Sequence, residues 1–218
     1  MTPLPAPATD PPPAASGPLL QLLASALKLW VRQQCETVGS LEIQLLGSSV
    51  QLLRGRLAGV KVLARQVTYR GLDLERVELT SSALELQLSP LWRGQPLQFR
   101  QPFRISGRVA FSPAGLCRSL ARPAWRALAD PLADQLLGIT PLVGLRIEAD
   151  RLVFAARPIV AGPLVERPAT LQAVPGGLRI TPDDGNAALL PIDPAIALDQ
   201  VLLEAGQVVL TGQAAVSP

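Results

Sequence analysis

The stretch PFRISGRVAFSPAGLCRSL, from Pro102 to Leu120, carries both periodicities of this chain and the boundary between them. Phe103, Ile105, Val109 and Phe111 share one parity while Arg104, Ser106 and Arg108 take the other, which predicts an antiparallel strand with one apolar and one wet face. Gly107 thins the apolar row, so that another element or a ligand could come close there. At Ser112 the period changes. Serine followed by Pro113 is a helix start, and Leu116, Leu120, Trp125, Leu128, Leu132 and Leu136 run as an apolar stripe to Gly138, a C-terminal cap. Pro123 and Pro131 each remove a backbone donor and Asp130 reads as a fresh cap, which predicts two or three short helices, or a single kinked one, over Pro113 to Leu137.

The period of two recurs on both sides. Leu41, Ile43 and Leu45 alternate with Glu42 and Gln44, Val60 and Val62 flank Lys61, and Leu84, Leu86 and Leu88 alternate with Glu85 and Gln87. Strand signals follow at Leu145 to Ala155, Leu164 to Val174, Leu178 to Thr181 and Val208 to Gly212, each bounded by Gly, Pro or Asp. Ahead of these, Leu19, Leu23, Leu27 and Trp30 recur at helical spacing after Pro18, with Leu20, Leu22 and Val31 beside them and Gln21, Ser25, Lys28 and Arg32 on the remaining face. Such a helix covers a sheet or lies on a membrane surface; its narrow apolar face favours the first. The fold class is therefore mainly β with two helical segments, an α+β chain. Residues 1–17, rich in proline and alanine, read as a disordered arm, and 18–218 as one domain.

Composition removes most chemistry. The 218 residues contain no histidine, which excludes the Ser-His-Asp triad, the Cys-His dyad and histidine-bound zinc. Cys35 and Cys117 lie far apart and read as two reduced, buried thiols. Only 17% of residues are charged and the mean hydropathy is +0.29, yet no charge-free apolar run is long enough for a membrane span. The net charge of +3 comes without a basic block and with only eight aromatics, so no nucleic-acid partner is expected. The uncharged segment Pro11 to Leu27 lacks the basic start of a signal peptide, which predicts synthesis and residence in the cytoplasm.

Candidate polar contacts are few. Arg54, Arg56, Lys61, Arg65 and Arg70 fall in one hairpin-like region and suit phosphate oxygens of a lipid headgroup or an anionic membrane surface; the plainer reading is a soluble strand face. The turn Pro182, Asp183, Asp184, Gly185, Asn186 gathers oxygen ligands without EF-hand spacing and reads as a loop. No metal and no cofactor is expected, and no catalytic constellation is formed.

LRGRLAGVKVLARQVTYRGLDLERVEL (Leu53 to Leu79), the Pro102 to Leu120 stretch and LADPLADQLLG ending at Gly138 resemble the LmeA-type phospholipid-binding family. LPIDPAIALD (Leu190 to Asp199) and GQVVLTGQAAVSP (Gly206 to Pro218) are similar to the close of its bacterial members, especially cyanobacterial ones. The resemblance, from about Leu19 to Pro218, implies a fold related to tubular lipid-binding domains: a long curved antiparallel sheet wrapping around a helix, with an apolar groove for acyl chains. It also implies a non-enzymatic binder of phospholipid or another apolar chain at or near a membrane. Leu23, Leu27, Trp30, Leu84, Leu86, Leu88, Phe103, Ile105, Val109 and Phe111 are the candidate lining, and peripheral contact with the cytoplasmic face of a membrane is expected. The alternative is a scaffold docking on a membrane-protein partner through the N-terminal helix or arm.

Overall fold

Pro18 opens helix α1 (Pro18–Gln34) in the first turn, where a missing N–H breaks no intrahelical bond. The structure, a computed structural model, describes residues 18–87, 98–158 and 162–217; the N-terminal arm and Leu88 lie outside them. Leu20, Leu23 and Leu27 form the buried strip of α1, with Val31 half-buried behind them. Leu22, grouped with that strip in the sequence, is exposed instead, and so is Leu29 two turns further along the helix.

Six antiparallel strands form the larger sheet. In spatial order they are β1 (Thr37–Leu46), β3 (Gly59–Tyr69), β4 (Leu72–Ser81), β7 (Phe103–Phe111), β14 (Gln207–Val216) and β13 (Ile196–Glu204). Register sets one transverse row: Ile43 opposite Val62, Val62 opposite Leu79, Leu79 opposite Gly107, Gly107 opposite Gly212 and Gly212 opposite Leu198. The strands coil so tightly at the two glycines that a β carbon on Gly107 would lie 2.4 Å from the Glu78 carbonyl oxygen and 2.5 Å from Leu79 Cδ2. On Gly212 it would lie 2.4 Å from the Ala197 carbonyl oxygen. The element that comes close to Gly107 is the neighbouring strand β4.

Ser112 caps α3 (Pro113–Ala121), its hydroxyl accepting from the Gly115 N–H at 3.2 Å, and Pro113 takes the first turn. Pro123 starts α4 (Pro123–Leu137), which ends at Gly138 in the left-handed region. Asp130 is not a cap: α4 continues through Pro131. The lost hydrogen bond is outweighed by packing, since Ala129, Leu132, Ala133, Leu136 and Leu137 are all buried along that one helix.

The sequence stretch Leu145 to Ala155 is two strands, β8 (Leu142–Glu148) and β9 (Arg151–Ala156), turning at Ala149 with φ +52°. With β10 (Val165–Val174), β11 (Gly177–Pro182) and β12 (Ala188–Pro191) they make a five-stranded antiparallel sheet. Helix α4 lies on this sheet, and Phe111, Val208, Leu203 and Leu210 of the larger sheet reach the same core. Both large sheets remain open. A short helix α2 (Ser49–Leu53) and a small sheet of β2 (Arg56–Leu57), β5 (Leu84–Gln87) and β6 (Gln98–Phe99) complete the described elements. Among the described residues the second helical segment is the two helices α3 and α4, broken at Pro123 as expected, and α2 is the helix that was not expected.

Candidate functional site

Beneath α1 lies a cluster built entirely of hydrocarbon. Leu20, Leu23 and Leu27 come from α1, Leu45 and Val60 from the large sheet, Leu52 from α2, Leu57 from β2, Leu84 and Leu86 from β5, and Phe103 from β7. Phe99 stands at its rim, with its ring centroid 4.8 Å from that of Phe103 and 6.3 Å, edge-on, from that of Trp30. Five of the ten residues proposed from sequence as a lining, Leu23, Leu27, Leu84, Leu86 and Phe103, therefore meet in one place; Ile105 packs against them and Trp30 reaches them through Phe99. Val109 and Phe111 do not join. They pack in the core around α4, Val109 also touching a third cluster around Leu41, Ala64, Val67 and Val77.

Leu52, Leu57 and Phe99 were not singled out from the sequence, and Leu20, read beside the apolar line of α1, was not placed in the lining. For Leu52 a signal existed: Ser48, Ser49, Val50, Gln51 is a capping box, with the Ser48 hydroxyl accepting from the Gln51 N–H at 3.3 Å and Gln51 Oε1 accepting from the Ser48 N–H at 3.2 Å. That box starts α2 and turns Leu52 inward.

The five basic candidates do not converge. Arg54 caps the end of α2 and Arg56 pairs with Glu85 at 3.2 Å. Lys61 and Arg65 follow on β3. Arg70 sits in the turn after β3 with φ +47°, its guanidinium 5.4 Å from the Tyr69 ring centroid. Nine residues of extended chain put Arg70 about 30 Å from Lys61, so no single headgroup spans the set.

An open concavity of about 780 Å³ lies on the polar face of the large sheet, opposite the apolar rows. Glu42, Lys61, Arg76, Glu78, Arg108 and Asp199 line it with both signs of charge, and Arg76 pairs with Glu78 while Arg108 pairs with Glu204. Compensated charges of this kind make a solvated face without a net field.

A second polar node ties β4 to the helices. Asp73 accepts from Arg118 Nε and from Arg122 Nη2, each at 2.9 Å, and from the Thr68 hydroxyl at 3.2 Å. Its backbone N–H donates at 2.8 Å to the hydroxyl of Ser119, which is fully buried and donates in turn to the Gly115 carbonyl. Burial pushes the Asp73 carboxyl up, but the Arg118 hydrogen bond, the Arg122 charge and the Thr68 hydroxyl outweigh it and hold the group below its ordinary value. A depressed carboxyl contributes stability that is present above its unfolded pKa of about 3.9 and is lost as pH falls through the folded value. Asp73→Asn is therefore expected to lower the melting temperature at pH 7, with the gap to the parent protein closing as pH is taken below about 4. Thermal scans across that range check this; a gap independent of pH would mean that the charge is not the source.

Both cysteines are free and half-buried rather than fully buried. Burial pushes both thiols up; Glu36 adds to this at Cys35, while at Cys117 the Leu145 N–H, donating to Sγ at 2.9 Å, opposes it. Neither is an activated nucleophile. Asp183 and Asp184 of the acidic turn are paired with Arg151 and Arg167, and among the described residues no group of three or more Cys, Asp or Glu is placed to hold a metal. No helix among the described residues is long and apolar enough to cross a membrane.

A family model described as LmeA-like phospholipid-binding matches residues 14–213. No curated protein and no solved structure matches the chain.

Proposed function

We propose that this chain, which belongs to the LmeA-like phospholipid-binding family, binds a phospholipid or another apolar chain without chemistry, in the hydrocarbon cluster beneath α1. The observation that carries the reading is that cluster: ten buried apolar side chains from seven separate elements, roofed by one helix. An acyl chain that parts α1 from the small sheet gains about 0.8 kcal/mol for each methylene it buries, and all the walls it meets are apolar. Arg54 and Arg56, which lie between the buried Leu52 and Leu57 in sequence, are the headgroup contacts best placed for such a lipid. The absence of histidine and the two raised thiols fit a binder better than an enzyme. Free cysteines fit a position on the cytoplasmic face of a membrane.

Native mass spectrometry of the full chain purified from its own host tests this. The expected spectrum contains a species heavier by one phospholipid, which dissociates on collisional activation. A bare chain, both as purified and after incubation with phospholipid, would overturn the reading. A co-purified protein in place of lipid would favour the scaffold alternative, for which the exposed Leu22 and Leu29 on the outer side of α1 are the supporting observation.

A further inference from the structure

We infer that the outer side of α1 together with α2 is a docking face for an anionic bilayer. Among the described residues ten large apolar side chains are exposed, and four of them fall on these two short helices, which pack against each other: Leu22 at 51%, Leu29 at 59%, Val50 at 61% and Leu53 at 68%. Leu22 and Leu29 are seven residues apart and so share one line of α1, opposite the buried Leu20, Leu23 and Leu27. On α2, Val50 and Leu53 point outward while Leu52, 0% exposed, pins the helix from beneath. The helices thus present apolar side chains outward that their own core does not need.

Charge selects the occupant. No aspartate or glutamate occurs from residue 11 to residue 35 or from residue 43 to residue 72, and these stretches hold Lys28, Arg32, Arg54, Arg56, Lys61, Arg65 and Arg70. Lys28, Arg32 and Arg54 are exposed on or beside the two helices, and Arg56, also exposed, is paired with Glu85. Aliphatic side chains flanked by basic ones, without acidic neighbours on either helix, match the headgroup and acyl boundary of a negatively charged leaflet. The inference goes beyond the acyl-chain reading and stands without it. The two fit geometrically, since a bilayer on the outer strip of α1 lies about one helix diameter, roughly 10 Å, from the cluster under its inner strip.

The test is flotation of the full chain with protein-free vesicles of phosphatidylcholine alone or mixed with phosphatidylglycerol. The chain is expected to float with the anionic vesicles only, and less so when salt is raised from about 0.1 M to about 0.5 M. The double variant Val50→Glu/Leu53→Glu is expected to partition about tenfold more weakly or worse, whereas Leu189→Glu, equally exposed at 55% on β12, is expected to float as the parent does. Because these positions are exposed, melting temperatures should agree, and Val50→Ser/Leu53→Ser repeats the test without added charge. Flotation of the double variants at the parent's level, an equal loss in Leu189→Glu, or binding only to native membranes and never to protein-free vesicles would overturn the inference, the last in favour of a protein partner. Lipid retained by the double variants in native mass spectra separates a failure of docking from a failure of lipid binding.

Discussion

Gly107→Leu is expected to destabilise the fold by at least about 3 kcal/mol, a fall of roughly 6 to 12 °C in melting temperature for a chain of this size. The cause lies at the β carbon, before the rest of the leucine is counted, because that atom would sit 2.4 Å from the Glu78 carbonyl oxygen. Backbone cannot swing aside as a flexible side chain can, and Gly212 directly opposite is held just as tightly against Ala197 and Leu198. Gly107→Ala should therefore show much of the same loss. Gly144→Ala is the matched control, for there the new methyl meets only the Ala155 β carbon at 3.4 Å, an ordinary contact. Denaturant midpoints of the three variants decide the matter: if Gly107→Ala is as mild as Gly144→Ala, the coiling of the sheet does not depend on glycine.

A second large effect separates a lipid site from a structural core. Leu86 and Leu136 are both buried to 1% exposure, Leu86 in the cluster beneath α1 and Leu136 in the core around α4. Truncating either to alanine is expected to cost about 3 kcal/mol, since each loses buried methyl groups and leaves a cavity that its neighbours fill only in part. The variants should differ once phospholipid is added. A ligand that binds only the folded state raises its stability in proportion to the logarithm of its concentration over Kd, and an apolar cavity accepts apolar groups. Leu86→Ala should recover part of its lost midpoint with lipid, and Leu136→Ala should gain no more than the parent does. Equal recovery in both, or none in either, would remove the cluster under α1 as the lipid site.

Much of the architecture was legible because single strands were half-buried. Leu41 to Leu45, Val60 to Val62 and Phe103 to Val109 alternate in sequence as they do in burial. Strand β13 escaped notice for a definite reason. Its register shifts between Leu198 and Gln200, so Ile196 and Leu198 hold one parity while Val201 and Leu203 hold the other, and a count of period two across the bulge cancels. Strand β4 lies in the middle of the sheet, and nearly every residue along it is half-buried, which blurs the contrast between its faces. At Pro131 a sound local rule lost to tertiary packing, as the five buried residues of α4 require. The site was legible in part: the strands and helix that supply Leu23, Leu27, Leu84, Leu86 and Phe103 were read correctly, but their meeting depends on pairing between β2 and β5 and between β5 and β6. The scatter of the basic residues was hidden for the converse reason, because closeness in sequence along an extended strand is distance in space.

The strand order also dictates a sequence of events during synthesis. β7 is paired on one side by β4, which precedes it, and on the other by β14, which follows it at a distance of some ninety-five residues in the chain, about the length from Phe111 to Gln207. Everything from α3 to β12, a complete sheet with its helices, is translated between those two pairings. A nascent chain emerging from the ribosome therefore presents β7 as a bare sheet edge until β14 appears, while the five-stranded sheet can already pair its own strands. Completion of the larger sheet on that side is thus a long-range step, and it rests on the ten residues from Gln207 to Val216.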